Sequence, residues 1–217
     1  MSLSQGLLLV PRPTDPPHIH VAGAPGDRVL LAGSGPSVGW GVLRHDLGLG
    51  GALARALAAR TGAGVDVDID AHPSLTVRGF GGLAAAVPRG EYTIAVITVG
   101  VNDALDLVDL SVWRRAVGSL IDLVTARLGA AGRLFITGVQ PMRSIQIFDS
   151  PLGSIVDAHA RRMNVITAQL CEPVRAATFV ALPGLPADPD GRHRSKGGYA
   201  LWGEVIARSI TAERPPT

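Results

Sequence analysis

The sequence predicts an α/β protein built on a three-layer, doubly wound parallel sheet of about five strands. Three observations lead there. Residues 29–32, 65–69, 92–99, 133–137 and 178–182 are short apolar or alternating stretches that read as strands. Stretches of helical period separate them. Residues 92–99 are β-branched and apolar on both faces, which suits a central strand covered on both sides. Strands alternating with helices require parallel crossovers over both faces of one sheet. The expected order is the flavodoxin-like 2-1-3-4-5, with ligands beyond the carboxyl ends of the strands.

The elements follow in order. Residues 1–27 are proline-rich (VPRPTDPPHIHVAGAPGD) and read as an extended arm, followed by a single domain over 28–217. His18 and His20 share one side of that arm, with no third ligand nearby in sequence, so no metal site is expected. Residues 47–59 read as a helix weakened by glycines, and 65–69 alternate Val with Asp as a strand with one wet face. Residues 80–87 form a short helix or turn. Ser111 is positioned to cap a helix with the stripe Val112, Ala116, Leu120, Val124 and Leu128. Ile155, His159, Met163, Ile166, Leu170 and Val174 mark another, on which His159 reads as a satisfied core or edge histidine. Residues 197–210 make a last amphipathic helix.

Composition narrows the function. The 217 residues are 47% hydrophobic, enough for a substantial core. A net charge of +2 without a dense basic block argues against nucleic acid. Cys171 is the only cysteine, so no internal disulfide is possible, and its apolar helical setting reads as a buried structural thiol. No apolar run approaches the roughly 18–20 residues of a membrane helix, and Gly6 to Val10 is too short for a signal-peptide core. The expectation is a soluble cytoplasmic protein without cofactor or metal.

Each chemically suggestive motif follows a predicted strand. Gly33-Ser34-Gly35, with Gly39 and Gly41 beyond it, follows the first. Gly79, or alternatively Gly81, follows the second. Gly100-Val101-Asn102-Asp103 follows the third. Asp190 and His193 follow the fifth, three residues apart. Imidazole titrates near neutrality and serves as a base, while a carboxylate on its other nitrogen fixes the tautomer. An Asn amide at a strand end can face a developing oxyanion, whereas Asp103 reads as structural. The apolar loop from Gln140 to Phe148 is placed to shape a pocket or simply to pack on the surface.

These blocks, with Gly198-Tyr199 after the Asp-x-x-His, resemble the SGNH/GDSL esterase and lipase family over most of the chain. The resemblance implies that fold, a small ester or acylated metabolite as substrate, His193 and Asp190 as catalytic pair, and Gly35, Gly79 and Asn102 around the oxyanion. In that family the first turn reads Gly-Asp-Ser and its Ser attacks the ester. Here Gly35 occupies the nucleophile position and offers only its N–H, while Ser34 occupies the Asp position. Arg194 stands where the family usually has proline. Ser34 is the candidate nucleophile, with direct water attack as the alternative, and weak or atypical activity follows from either. Ser34 is also expected to face the protein and cap the turn, with Ser37 lining the pocket or capping. Changing Ser34 to Asp and Gly35 to Ser should restore activity, provided position 35 does not hold a positive φ that serine resists. Two other readings stand beside the hydrolase. One is a non-catalytic binding protein on the same fold. The other is a dinucleotide-binding turn at Gly33-x-Gly35-x-x-x-Gly39, with Asp68 or Asp70 on the ribose.

Overall fold

The computed structural model describes residues 10–86, 88–128, 130–142, 150–185 and 196–213. In chain order the strands are β1 (His18–Val21), β2 (Ala24–Gly33), β3 (Ala63–Ala71), β4 (Ile94–Thr98), β5 (Arg133–Thr137) and β6 (Ala177–Val180). The helices are α1 (Leu49–Thr61), α2 (Phe80–Ala86), α3 (Val101–Leu105), α4 (Leu110–Leu128), α5 (Pro151–Cys171) and α6 (Lys196–Ala212). The six strands form one sheet in the order β1-β3-β2-β4-β5-β6. All neighbours are parallel except β1, which runs antiparallel to β3. The five parallel strands therefore keep the expected 2-1-3-4-5 order.

The added strand, β1, comes from the arm. Its register sets His18 opposite Asp68 and His20 opposite Asp66. Each imidazole Nδ1 lies 2.7 Å from the facing carboxylate. The outward carboxylates of the Val-Asp alternation thus hold the end of the arm on the sheet. Asp68 also accepts from the Tyr92 hydroxyl at 3.0 Å. Burial raises its pKa, but these bonds and the nearby His18 and Arg28 outweigh it and leave the carboxyl below its ordinary value.

Alternation along β2 divides the core. Leu30 and Ala32 face one layer with Ile97, Trp113 and Val117. Val29 and Leu31 face the other with Leu53, Val67, Trp202 and Ile206. One capping expectation is corrected: Asp109, not Ser111, caps α4. Its Oδ1 accepts the N–H groups of Ser111 and Val112 at 2.8 and 3.2 Å. The His159 ring donates from Nε2 to the Val108 carbonyl at 2.9 Å, a satisfied edge histidine. Burial pushes the Cys171 thiol up to about 11, so it stays protonated. Among the described residues no helix is long and apolar enough to cross a membrane. No three His, Cys, Asp or Glu side chains among them are grouped to hold a metal.

Candidate functional site

The five parallel strands end at one edge of the sheet. The turn after β2 is pinned between its neighbours: Ser34 N–H donates to Thr98 O at 2.6 Å and His72 N–H to Gly33 O at 2.8 Å. Gly33 has φ +130, and a β-carbon there would lie 2.0 Å from Thr98 O. Gly35 has φ +62 and opens a short 3-10 turn, Gly35–Val38. Ser34 stands between these glycines in extended backbone, φ −138.

Ser34 faces the protein, as expected, and is 1% exposed. It does not cap the turn: its side chain makes no capping bond, and its Oγ has no hydrogen-bond partner among the described residues. The neighbouring hydroxyls are occupied. Ser37 donates to the Ser34 carbonyl at 3.3 Å, and Thr98 Oγ1 lies 2.7 Å from both that carbonyl and Ser37 Oγ. A buried hydroxyl without a partner costs about 1–3 kcal/mol. The Gly35 N–H is the first of its turn and has no partner within it.

The turn after β4 touches the first. A β-carbon on Gly35 would lie 3.1 Å from Val101 Cγ2, so Gly35 and the start of α3 are in contact. Asn102 donates its amide to the carbonyls of Pro73 and Leu75, each at 2.9 Å. Both of its hydrogens are thereby engaged. The carboxylate of Asp103, 2% exposed, accepts the Val77 N–H at 3.2 and 3.3 Å. Asn102 and Asp103 together clamp the loop between β3 and α2. Gly79 closes that loop, with its N–H donating to Thr76 O at 3.0 Å. Of the three residues expected around the oxyanion, Gly35 alone offers an uncommitted donor among the described residues.

Burial raises the pKa of Asp103, although the Val77 N–H opposes this. A carboxyl raised in the folded state favours folding most when protonated. That contribution is fully present below the unfolded value and is lost as pH rises through the folded one. Asp103→Asn keeps an acceptor for Val77 without the charge. It is expected to be more stable than the native chain at pH 7, with the difference closing in acid, as read from urea midpoints at the two pH values.

The condition set for restoring Gly-Asp-Ser is not met, because Gly35 holds φ +62. Serine there carries a left-handed penalty of about 1–2 kcal/mol. Position 34 would also bury a carboxylate where no partner waits among the described residues. The double variant Ser34→Asp, Gly35→Ser is therefore expected to lose stability and to gain no esterase activity, measured by denaturation and by 4-nitrophenyl acetate turnover.

Asp190 and His193, with Arg194, lie outside the described residues. The residues flanking them meet: a β-carbon on Gly198 would touch Leu185 at 2.5 Å. The Tyr199 hydroxyl donates to Trp40 O and the Trp202 indole to Pro183 O, each at 2.9 Å. The Gly-Tyr block thus docks the start of α6 onto the segment that follows the Gly33-Ser34-Gly35 turn.

Sequence reasoning gave Gln140 no role of its own. It is 1% exposed and its amide has no partner among the described residues. Asn164 holds both backbone groups of Val139 at 2.8 Å, and Asp157 accepts the Met142 N–H at 2.7 Å. The exit of β5 is therefore fixed around an amide that has no partner among the described residues. Residues 143–148, the remainder of that predicted loop, lie outside the described residues.

The dinucleotide reading fails on geometry. It needs a helix N-terminus for the pyrophosphate, and a four-residue 3-10 turn containing Pro36 follows Gly33-Ser34-Gly35 instead. Asp68 is held by His18 and Tyr92, and Asp70 by His72 at 3.1 Å.

Comparison with solved structures returns the same fold. A carbohydrate acetylesterase from Sinorhizobium meliloti aligns over 86% of this chain and 99% of its own, with a TM-score of 0.61 and 16% identity. An aryl esterase from M. smegmatis aligns over 87% and 100%, with a TM-score of 0.64 and 14% identity. A variant of an acetyl xylan esterase from Geobacillus stearothermophilus aligns over 90% and 99%, with a TM-score of 0.61 and 16% identity. No curated protein matches the sequence. Identities this low establish the fold alone. The sequence itself matches the GDSL-like Lipase/Acylhydrolase family over residues 18–201, and the chain belongs to that family.

Proposed function

We propose that the chain hydrolyses small acyl esters, acetyl esters foremost, with turnover below that of a relative that keeps Gly-Asp-Ser. Family membership supports the reaction class. The names of the structural neighbours, acetylesterases and an aryl esterase, support a short acyl group. The observation that carries the reading is the Ser34 hydroxyl at the family's nucleophile turn, without a partner among the described residues while Ser37 and Thr98 are occupied.

In this reading Ser34 Oγ attacks the ester carbonyl and passes its proton to His193, which Asp190 orients. The oxyanion forms against the Gly35 N–H, with Asn102 and Gly79 donating once the loop between β3 and α2 releases them. Collapse expels the alcohol, which takes the proton from His193. Water then cleaves the acyl-Ser34 intermediate by the same relay. Two observations account for slow turnover: Ser34 is 1% exposed, and the amides of Asn102 and Gly79 are already bonded. The same two observations favour a second reading, a non-catalytic binding protein on this fold. A cytoplasmic setting is part of the proposal.

The test is hydrolysis of 4-nitrophenyl acetate by the native chain and by His193→Ala. The expected result is slow native turnover and a loss of about 10²–10⁴-fold without the base. No native turnover would favour the binding protein. Turnover indifferent to His193→Ala would remove the proposed relay.

A further inference from the structure

The N-terminal arm is laid along the segment that follows the Gly33-Ser34-Gly35 turn. Gly41 N–H donates to Pro11 O at 2.9 Å, and a β-carbon on Gly39 would lie 2.8 Å from Pro13. Asp15 accepts the His45 N–H at 2.9 and 3.2 Å. Between the arm and the carboxyl end of β3 lies a cleft of about 570 Å³. That falls in the range of small-molecule sites, about 300–1,000 Å³. Val38 and Ile69 are among its apolar walls, and Arg12, His45, Asp70 and His72 bring its ionisable side chains.

The charge pattern selects a ligand. Among the described residues Asp70 is the one carboxylate in the lining, and His72 already holds it at 3.1 Å. The Arg12 guanidinium lies over the Trp40 ring, 5.4 Å from its centroid, and meets no carboxylate within ion-pair distance among the described residues. The His45 ring likewise has no hydrogen-bond partner among them. Burial lowers the His45 pKa, although Asp15 opposes this, so the ring is a neutral donor and acceptor near pH 7. The cleft therefore offers one fixed cation and spare donors, with its acid occupied. The cation–π contact with Trp40 holds the guanidinium beside the cleft, and its N–H fork suits a planar, bidentate partner. A single cation matches a carboxylate and leaves a phosphate dianion half neutralised.

We infer that this cleft is a specificity subsite for a carboxylate carried by the ester, with Arg12 as its partner. The inference rests on the hydrolase reading for what the ligand is, though not for whether it binds. Two esters that differ only in charge test it: 4-acetoxybenzoate and methyl 4-acetoxybenzoate. The native chain is expected to prefer the charged ester through KM. Arg12→Ala should raise that KM about 10–100-fold at low salt, leaving kcat and the neutral ester unchanged. Arg12→Lys should recover part of the preference. A loss shared by both esters would mean that Arg12 merely holds the arm, and overturns the inference. Binding is followed separately from turnover through the Arg12 Nε–H resonance, titrated with 4-hydroxybenzoate, its methyl ester and inorganic phosphate. A shift with 4-hydroxybenzoate alone supports the subsite, even in a chain that hydrolyses neither ester; in that case the hydrolase reading fails and the subsite stands. No shift, or an equal shift with the methyl ester or phosphate, overturns it whatever the turnover.

Discussion

Ser34→Ala is expected to lower short-chain ester hydrolysis by at least about 10³-fold while leaving the fold intact or slightly more stable. The two halves of this expectation have one cause. Ser34 Oγ is buried and has no hydrogen-bond partner among the described residues. Deleting an unpaired buried hydroxyl removes a desolvation cost and breaks no bond. Were the hydroxyl structural, its loss would lower stability. Were it the nucleophile, its loss would end acyl transfer, because nucleophile and base act as a unit. Rates on 4-nitrophenyl acetate and melting temperatures measured on the same preparation separate these cases. A nearly silent Ser34→Ala beside an inactive His193→Ala would mean that water attacks directly and that the serine is a bystander.

Gly33→Ala is expected to cost roughly 2–6 kcal/mol, the sum of backbone strain and forced displacement of a packed neighbour. That is a large share of the 5–15 kcal/mol or so that holds a domain folded. The added carbon would meet Thr98 O at 2.0 Å, and φ at Gly33 is +130. Thr98 O is also the acceptor for Ser34 N–H, so β2 and β4 would part where the site is built. Gly62→Ala is the control. Its φ is +69, but nothing lies within 4 Å of the new carbon, so only the backbone term of about 1–2 kcal/mol applies. Urea midpoints of the two variants compare strain with strain plus clash. Equal losses would mean that the sheet yields at Thr98.

The parallel sheet was legible because its signal is local. Tyr92 to Val99 reads as a central strand from its own residues, and the exits that carry Gly33, Gly79 and Asn102 follow from strand order. What stayed hidden depends on contacts between distant segments. Nothing near His18 announces that Asp68, fifty positions on, waits opposite it. Asn102 reads as an oxyanion donor from its motif, and only the folded loop reveals that Pro73 and Leu75 hold both its hydrogens. The φ at Gly35 decides whether serine can stand there, but a glycine in sequence is silent about which of its conformations it uses. Ser111 lost the cap to Asp109 because either side chain suits a helix start and the first backbone N–H groups decide between them.

The edge strand β1 also bears on how the molecule keeps to itself. A bare β3 would present a row of free N–H and C=O groups to any passing chain, the template from which sheets of separate molecules join. β1 occupies that row with only four residues. Short, histidine-bearing and turned at Val21 into a glycine-containing bend, it offers little length for a further strand to extend. The arm that lines the cleft thus also keeps one copy's sheet from continuing into the next.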